Sequence, residues 1–213
     1  MALEATHIRF ALDLKEKYGV QNVERYVSGA IYPDSRYVTE VDRLATHPED
    51  YMEWDMNRIN DFRKGWFAHL LADNIQWDIT KEFLPQVFDG SQGQGGERWI
   101  KHTAIKILQD LDDVRKFDIK QYLPFLLHVE NPNGEDIKTV ERYNQIFPKM
   151  YADPEKVNVD SCYEMWKEFG IDDELAMKVK LQAEEYSRDN TVMDAVVKIY
   201  PEMLKRANSK NRF

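Results

Sequence analysis

The stretch Lys64-Gly65-Trp66-Phe67-Ala68-His69-Leu70-Leu71-Ala72-Asp73-Asn74-Ile75-Gln76-Trp77 constrains this chain more than any other. At helical spacing Phe62, Trp66, His69, Leu70, Asp73 and Trp77 share one face. That face is apolar except for His69 and Asp73, which sit one turn apart within it. A carboxylate carried into an apolar interior costs on the order of several kcal/mol unless a cation or good hydrogen bonds compensate it. Two arrangements meet that demand. Either His69 and Asp73 hydrogen-bond and hold helices together, or the i, i+4 pair converges on a metal ion, as paired histidines do on a zincin helix.

The rest of the chain reads as further helices around this one. The spacing predicts a helix over 3–18, stopped by Gly19, with Leu3, Phe10, Ala11, Leu14 and Tyr18 as its apolar stripe and His7 inside that stripe. Asn22 is placed to cap a short helix over 22–28. Gly29-Ala30-Ile31-Tyr32-Pro33-Asp34 reads as a turn or irregular segment, since Pro33 biases Tyr32 away from the α region. Thr46-His47-Pro48 puts His47 near a helix start, and histidines and carboxylates in loops on a helical scaffold are common metal and catalytic positions. Helices are expected over 49–60 and 61–88, the second limited by Pro85. A helix over 99–116 has Ile100, Thr103, Ala104, Ile107, Leu108 and Leu111 as its stripe, His102 beside it, and Asp110 and Asp113 two and three turns on. Helical pieces follow over 119–128, 136–151, 160–169 and 172–204.

Segment 89–96 holds four of the nine glycines. It lacks the Lys-Ser/Thr ending of a phosphate loop and reads instead as a loop able to cover a site. No period-two alternation, internal repeat or heptad array is present, so the expectation is all-α. One multi-helix domain over 1–213 is expected, with the chemistry in about 3–80 and a metal site between helices.

Composition narrows the function classes. A formal charge of −9 opposes a nucleic-acid surface, which needs a basic stripe, and makes a poor partner for an anionic bilayer. No apolar run is long enough to span a membrane. Cys162 is the single cysteine, so neither an internal disulfide nor a cysteine-built zinc site is open to the chain. Met1 to Arg9 lacks the character of a secretory signal, and the expected compartment is the cytoplasm.

The first third therefore offers His7, Asp34, His47, His69 and Asp73, a set of imidazole and carboxylate donors suited to zinc and compatible with Mn or Fe. Five ligands exceed the need of one tetrahedral ion and allow two. The order of these residues resembles the zinc-dependent phospholipase C and P1-type nuclease superfamily. Its pattern is a histidine in the first helix, a Gly-x-Ile-x-Pro-Asp segment, a Thr-His pair and a Gly-x-x-x-His-x-x-x-Asp helix. Here these are His7, Gly29 to Asp34, Thr46-His47 and Gly65 to Asp73. The resemblance covers roughly residues 3 to 80.

It implies an all-helical fold in which Asp34, His47, His69 and Asp73 hold a first zinc, while His7, sharing Asp73, helps to hold a second. It also implies a general-base role for Asp34. The family's secreted members add an N-terminal Trp amine and a later His-x-x-x-Glu pair. This chain starts with Met1, and Lys106 and Pro132 stand four residues beyond His102 and His128. His102 with Asp110 or Asp113 is the candidate replacement.

The expected function is a metal-dependent phosphoester hydrolase acting on a small phosphorylated substrate, with Arg36 and Arg43 as candidate phosphate clamps. Two alternatives stand beside it. One is an HD-like phosphohydrolase, against which no histidine here is followed by Asp. The other is a non-catalytic helical interaction protein with a structural metal, distinguished by a closed coordination shell.

Overall fold

The computed structural model describes residues 4–209, and Leu3, the first residue of the expected stripe, lies outside them. Among the described residues there are helices and turns and no strand. Helix α1 (Glu4–Leu14) is shorter than expected, because the chain leaves it in turns that close on Gly19 at φ 58°. Helix α2 (Val23–Ile31) starts on Asn22, whose side chain accepts from Arg25 N at 3.0 Å.

Gly29 to Asp34 is not irregular: α2 runs on through Ile31 and continues as a 3-10 turn over Tyr32–Ser35. Proline is accepted in the first turn of such a helix, where its missing N–H leaves no bond unmade. Tyr32 stays in the right-handed helical region at φ −55° and ψ −42°. Gly29 serves a crossing and not a turn. A Cβ there would stand 2.0 Å from Phe62 O, and one on Gly65 would stand 1.9 Å from Tyr26 O. The two glycines let α2 pack backbone to backbone against α5 (Asp61–Phe83), the long helix at the centre of the fold.

Two short helices, α3 (Arg36–Thr39) and α4 (Arg43–Thr46), lead down to His47. Residues 49–60 were expected to be helical, yet they form a 3-10 turn over Tyr51–Glu53 and then bends. Asp55 accepts from Asn57 N at 3.0 Å, a local turn that competes with the helix ladder. After α5 comes a 3-10 turn over Pro85–Phe88, the glycine loop, and α6 (Glu97–Asp113). Residues 119–128 make two 3-10 stretches. Helices α7 (Ile137–Met150) and α8 (Val159–Glu168) follow.

The helix expected over 172–204 is two, α9 (Asp173–Ser187) and α10 (Asn190–Ser209). No Gly or Pro separates them. Asp189 breaks the run by accepting from Thr191 N at 2.8 Å and Val192 N at 3.2 Å.

Two apolar clusters fill the interior. One gathers Phe10, Leu14, Tyr26, Trp66, Phe67, Leu71, Ile79, Val196 and Tyr200 between α1, α2, α5 and α10. The other joins Ile8, Val27, Ile107, Tyr143, Phe147, Trp166 and Val179 between α1, α2, α6, α7, α8 and α9. Helices α1, α2 and α6 thus run between both clusters and α5. The chemistry-bearing residues of the first third lie along that seam.

Candidate metal centre

Three helices converge on Asp73. His7 enters from α1, His69 and Asp73 lie one turn apart on α5, and His47 caps the C-terminus of α4. The ligand atoms of His47, His69 and Asp73 lie within 4.8 Å of one another, and so do those of His7, Asp34 and His69. Asp34 reaches in from the 3-10 turn after α2 and is buried. His69 belongs to both groups, and Asp73, expected as the shared ligand, turns one oxygen toward His7 at 3.7 Å and the other toward His47 and His69.

The glycine crossing explains how His69 is aimed. With α2 drawn against α5 at Gly65, the His69 ring one turn on meets the free carbonyl of Ala30. Its Nδ1–H donates to Ala30 O at 2.8 Å, which leaves Nε2 as the lone-pair nitrogen. His47 is set in the same way. Thr46 Oγ1 donates to Arg43 O at 3.3 Å and stands 2.9 Å from His47 Nδ1, so its oxygen accepts the ring proton there. Trp66 Nε1 donates to Thr46 O at 2.7 Å, tying this loop to α5.

Both Nε2 atoms face one carboxylate oxygen. His69 Nε2 is 3.8 Å and His47 Nε2 3.9 Å from Asp73 Oδ2, too far for hydrogen bonds. The arrangement in which His69 simply hydrogen-bonds Asp73 is therefore not the one found. Three acceptors point at one another with no proton among them. Ligands of a tetrahedral zinc stand about 3.3 Å apart, given bonds of about 2.0–2.2 Å. The two distances to Asp73 Oδ2 need to close by about half an ångström to reach that spacing.

The electrostatics favour the ligand forms. Burial, followed by the neighbouring His69, lowers His47 to about 3 and holds His7 well below the ordinary histidine range; burial also lowers His69. Neutral imidazole is the form that binds a metal. Burial pushes Asp73 up, yet Lys106 and then His69 and His7 overcome it and hold the carboxyl well below its usual range. For Asp34, burial likewise pushes the carboxyl up, and the surrounding positive charge outweighs it and holds it at about 2.

Asp73 Oδ1 looks the other way. Lys106 Nζ, from α6, donates to it at 2.5 Å, and His7 Nε2 lies 3.7 Å from it. The Lys106 ammonium thus stands beside the oxygen that the expected second ion would share. The single lone pair of His69 Nε2 can serve one ion only, so the two ligand groups compete for it. His7 stacks on His69 with ring centroids 3.7 Å apart, and neither His7 nitrogen has a hydrogen-bond partner among the described residues. His69 Nε2 and Asp34 Oδ2 are likewise buried and unpartnered.

Above this floor opens a cavity of about 520 Å³. Asp34, His47, Asp73 and Lys106 line it, as do Arg36 and Arg43, the two expected phosphate clamps. Gly93 and Gln94 bring the glycine loop to its wall, where a covering loop was expected. Arg98, Trp77, Trp99 and Lys106 were not foreseen as site residues. The available signal was the i, i+4 spacing of His102 and Lys106, which puts both on the α6 face toward Asp73.

His102 lines the cavity, but Asp110 and Asp113 do not join it. They lie about 12 and 16 Å further along the α6 axis at 1.5 Å per residue. Their side chains are turned onto α1 by hydrogen bonds to Thr6 and Arg9. The replacement site of His102 with Asp110 or Asp113 is therefore corrected: one straight helix cannot bring them to one ion. No helix among the described residues is long and apolar enough to cross a membrane. No protein-family model, curated protein or solved structure matches the chain.

Proposed function

We propose that the chain is a metal-dependent phosphoester hydrolase, as its resemblance to the zinc-dependent phospholipase C and P1-type nuclease superfamily implies. The observation that carries this is the trio of unprotonated acceptors, His47 Nε2, His69 Nε2 and Asp73 Oδ2, of which His47 and Asp73 line an open cavity while His69 is buried beside them. Facing lone pairs repel, and a cation resolves the repulsion.

His47, His69 and Asp73 would hold the ion, with Asp34 and His7 adjoining. The donor set suits zinc and admits Mn or Fe. When bound, the ion supplies Lewis acidity to a water and to a phosphoryl oxygen. Lys106 holds Asp73 ionised and adds a fixed positive charge beside the reacting phosphate. Arg36, stacked over Tyr37 at 4.0 Å, and Arg43 present guanidinium groups to the ester oxygens. Asp34 at about 2 is a weak base. Its contribution is to orient the attacking water by accepting its hydrogen bond, with proton transfer secondary.

Elemental analysis of protein expressed in metal-supplemented medium should find at least one transition metal per chain. Asp34→Asn keeps the shape and one acceptor but loses the charge. It should lower kcat by about 10²-fold at an unchanged Tm. Metal-loaded protein inert toward phosphomonoesters, phosphodiesters and phospholipid would leave the interaction protein with a structural metal as the surviving description.

A further inference from the structure

The cavity carries a charge pattern opposite to that of the molecule. The chain has 38 acidic against 29 basic residues, yet the charged residues lining the cavity are Arg36, Arg43, Arg98 and Lys106 against Asp34 and Asp73. Both of those carboxylates belong to the candidate metal centre. Everything left over is positive.

The cations are arranged by depth. Lys106 and His102, each 6 % exposed, lie at the floor, and His102 Nε2 is buried without a partner. Arg43 is exposed at the rim, and half-buried Arg98, which also lines the cavity, donates its Nε to Phe88 O at 2.8 Å and so keeps its terminal nitrogens out of that bond. Arginines that pair with carboxylates elsewhere are Arg9, Arg25, Arg58 and Arg206; Arg36, Arg43 and Arg98 are not among them. Arg36 also keeps a buried, unpartnered Nε. Between floor and rim stand two indoles, Trp99 and the 40 % exposed Trp77.

One phosphate at the floor uses Lys106 and the metal centre, and leaves the rim arginines unmatched. From this we infer that the cavity takes a small organic phosphate carrying a second anionic group at its far end, joined by a flat or apolar spacer. The inference rests on the hydrolase reading for what happens at the floor and adds the identity of the ligand. A cavity of about 520 Å³ has the size of a small-molecule site. The acidic exterior repels nucleic-acid polymers and anionic bilayers, so the positive cavity selects a polyanion small enough to enter it. The spacer lies against Trp77 and Trp99, and the distal anion meets Arg43 and Arg98, where a guanidinium binds a carboxylate or phosphate through paired hydrogen bonds.

The test uses the zinc-loaded chain and two non-hydrolysable probes, phenylphosphonate and 4-carboxyphenylphosphonate, measured by calorimetry. The second probe should bind about tenfold more tightly, the effect of one charge-assisted contact. In Arg43→Gln/Arg98→Gln the two affinities should come within about threefold, with Arg43→Gln alone intermediate. Equal affinities in the wild type, a preference that survives the double variant, or no binding of either probe would overturn the inference. Turnover of the corresponding phosphate esters is followed separately. A preference that holds while no ester is hydrolysed would refute the hydrolase reading and leave the ligand class standing.

Discussion

Two groups of carboxylates, Asp110 with Asp113 and Asp34 with Asp73, have surroundings that differ in kind. Around Asp110 and Asp113 every charge has a protein partner. Thr6 N donates to Asp110 at 2.8 Å and Tyr151 Oη at 3.0 Å; Asp113 takes Thr6 Oγ1 at 2.8 Å and Arg9 at 2.7 Å. Around Asp73 stand three imidazole nitrogens at 3.7 to 3.9 Å, with Lys106 alone donating to it, and Asp34 Oδ2 is buried without a partner. The first group is closed by the protein and acts as a joint between α1 and α6. The second is left open toward a cavity. Buried polar atoms are satisfied almost everywhere in folded proteins, and this cluster of unsatisfied ones is what the proposed metal centre rests on.

The sharpest way to break this comparison is to take away what the open group would bind. Chelation should lower the Tm of the wild type by about 10 °C, the effect expected for a ligand near 1,000 times its Kd on a chain of this size. His69→Ala should melt below the chelated wild type, since it also loses the bond to Ala30 O, and its Tm should not respond to metal. A wild-type Tm indifferent to chelator would make the two groups alike.

Next in size is the closed group. Asp113→Ala strands Arg9 and Thr6, and should cost about 3 kcal/mol, as breaking a buried pair does. Metal content should not change, because Asp113 is no part of the open group. Loss of metal in this variant would show that the two clusters are one.

The smallest effect is a matter of pH. Burial raises Asp110 to about 7 and Asp113 to about 6, above the ordinary aspartate value. A folded pKa above the unfolded one means that the folded state holds the proton longer. The stability contribution is therefore full below about pH 4 and is lost as pH climbs through about 6 and 7. Asp110→Asn keeps an acceptor for Thr6 N and removes the ionisation. Its Tm relative to wild type should rise between pH 5 and pH 8. A difference that stays flat or falls over that range would show that Asp110 is ionised throughout.

The chain's legibility followed the range of the interactions. His69 and Asp73 could be read together because i, i+4 spacing on a helix fixes their proximity, and His7 could be read because its own stripe had to face inward. Asn22 was readable as a cap for the same local reason. The 29–34 segment was misread because Gly and Pro carry more than one meaning: Gly29 permits a close helix crossing with Gly65, which turn propensity cannot distinguish from a bend. The break at Asp189 was missed because a capping side chain leaves no Gly or Pro to announce it. Lys106 looked like a mere departure from a His-x-x-x-Glu pair, and its contact with Asp73 spans 33 residues.

What the sequence determined by itself was the all-α class and the ligand-type character of residues 7, 34, 47, 69 and 73, since both rest on periodicity and side-chain chemistry within single helices or short turns. What only the tertiary structure decided was which atoms face which. The α2–α5 crossing hands Ala30 O to His69 and so selects Nε2 as the lone-pair nitrogen. The packing of α6 beside α5 sets an ammonium against Asp73 Oδ1 and turns Asp110 and Asp113 away to α1. The tautomer of His69 and the sign of the cavity's charge both depend on distances between helices. Those distances are set by how closely backbones can approach, not by any residue's own preference.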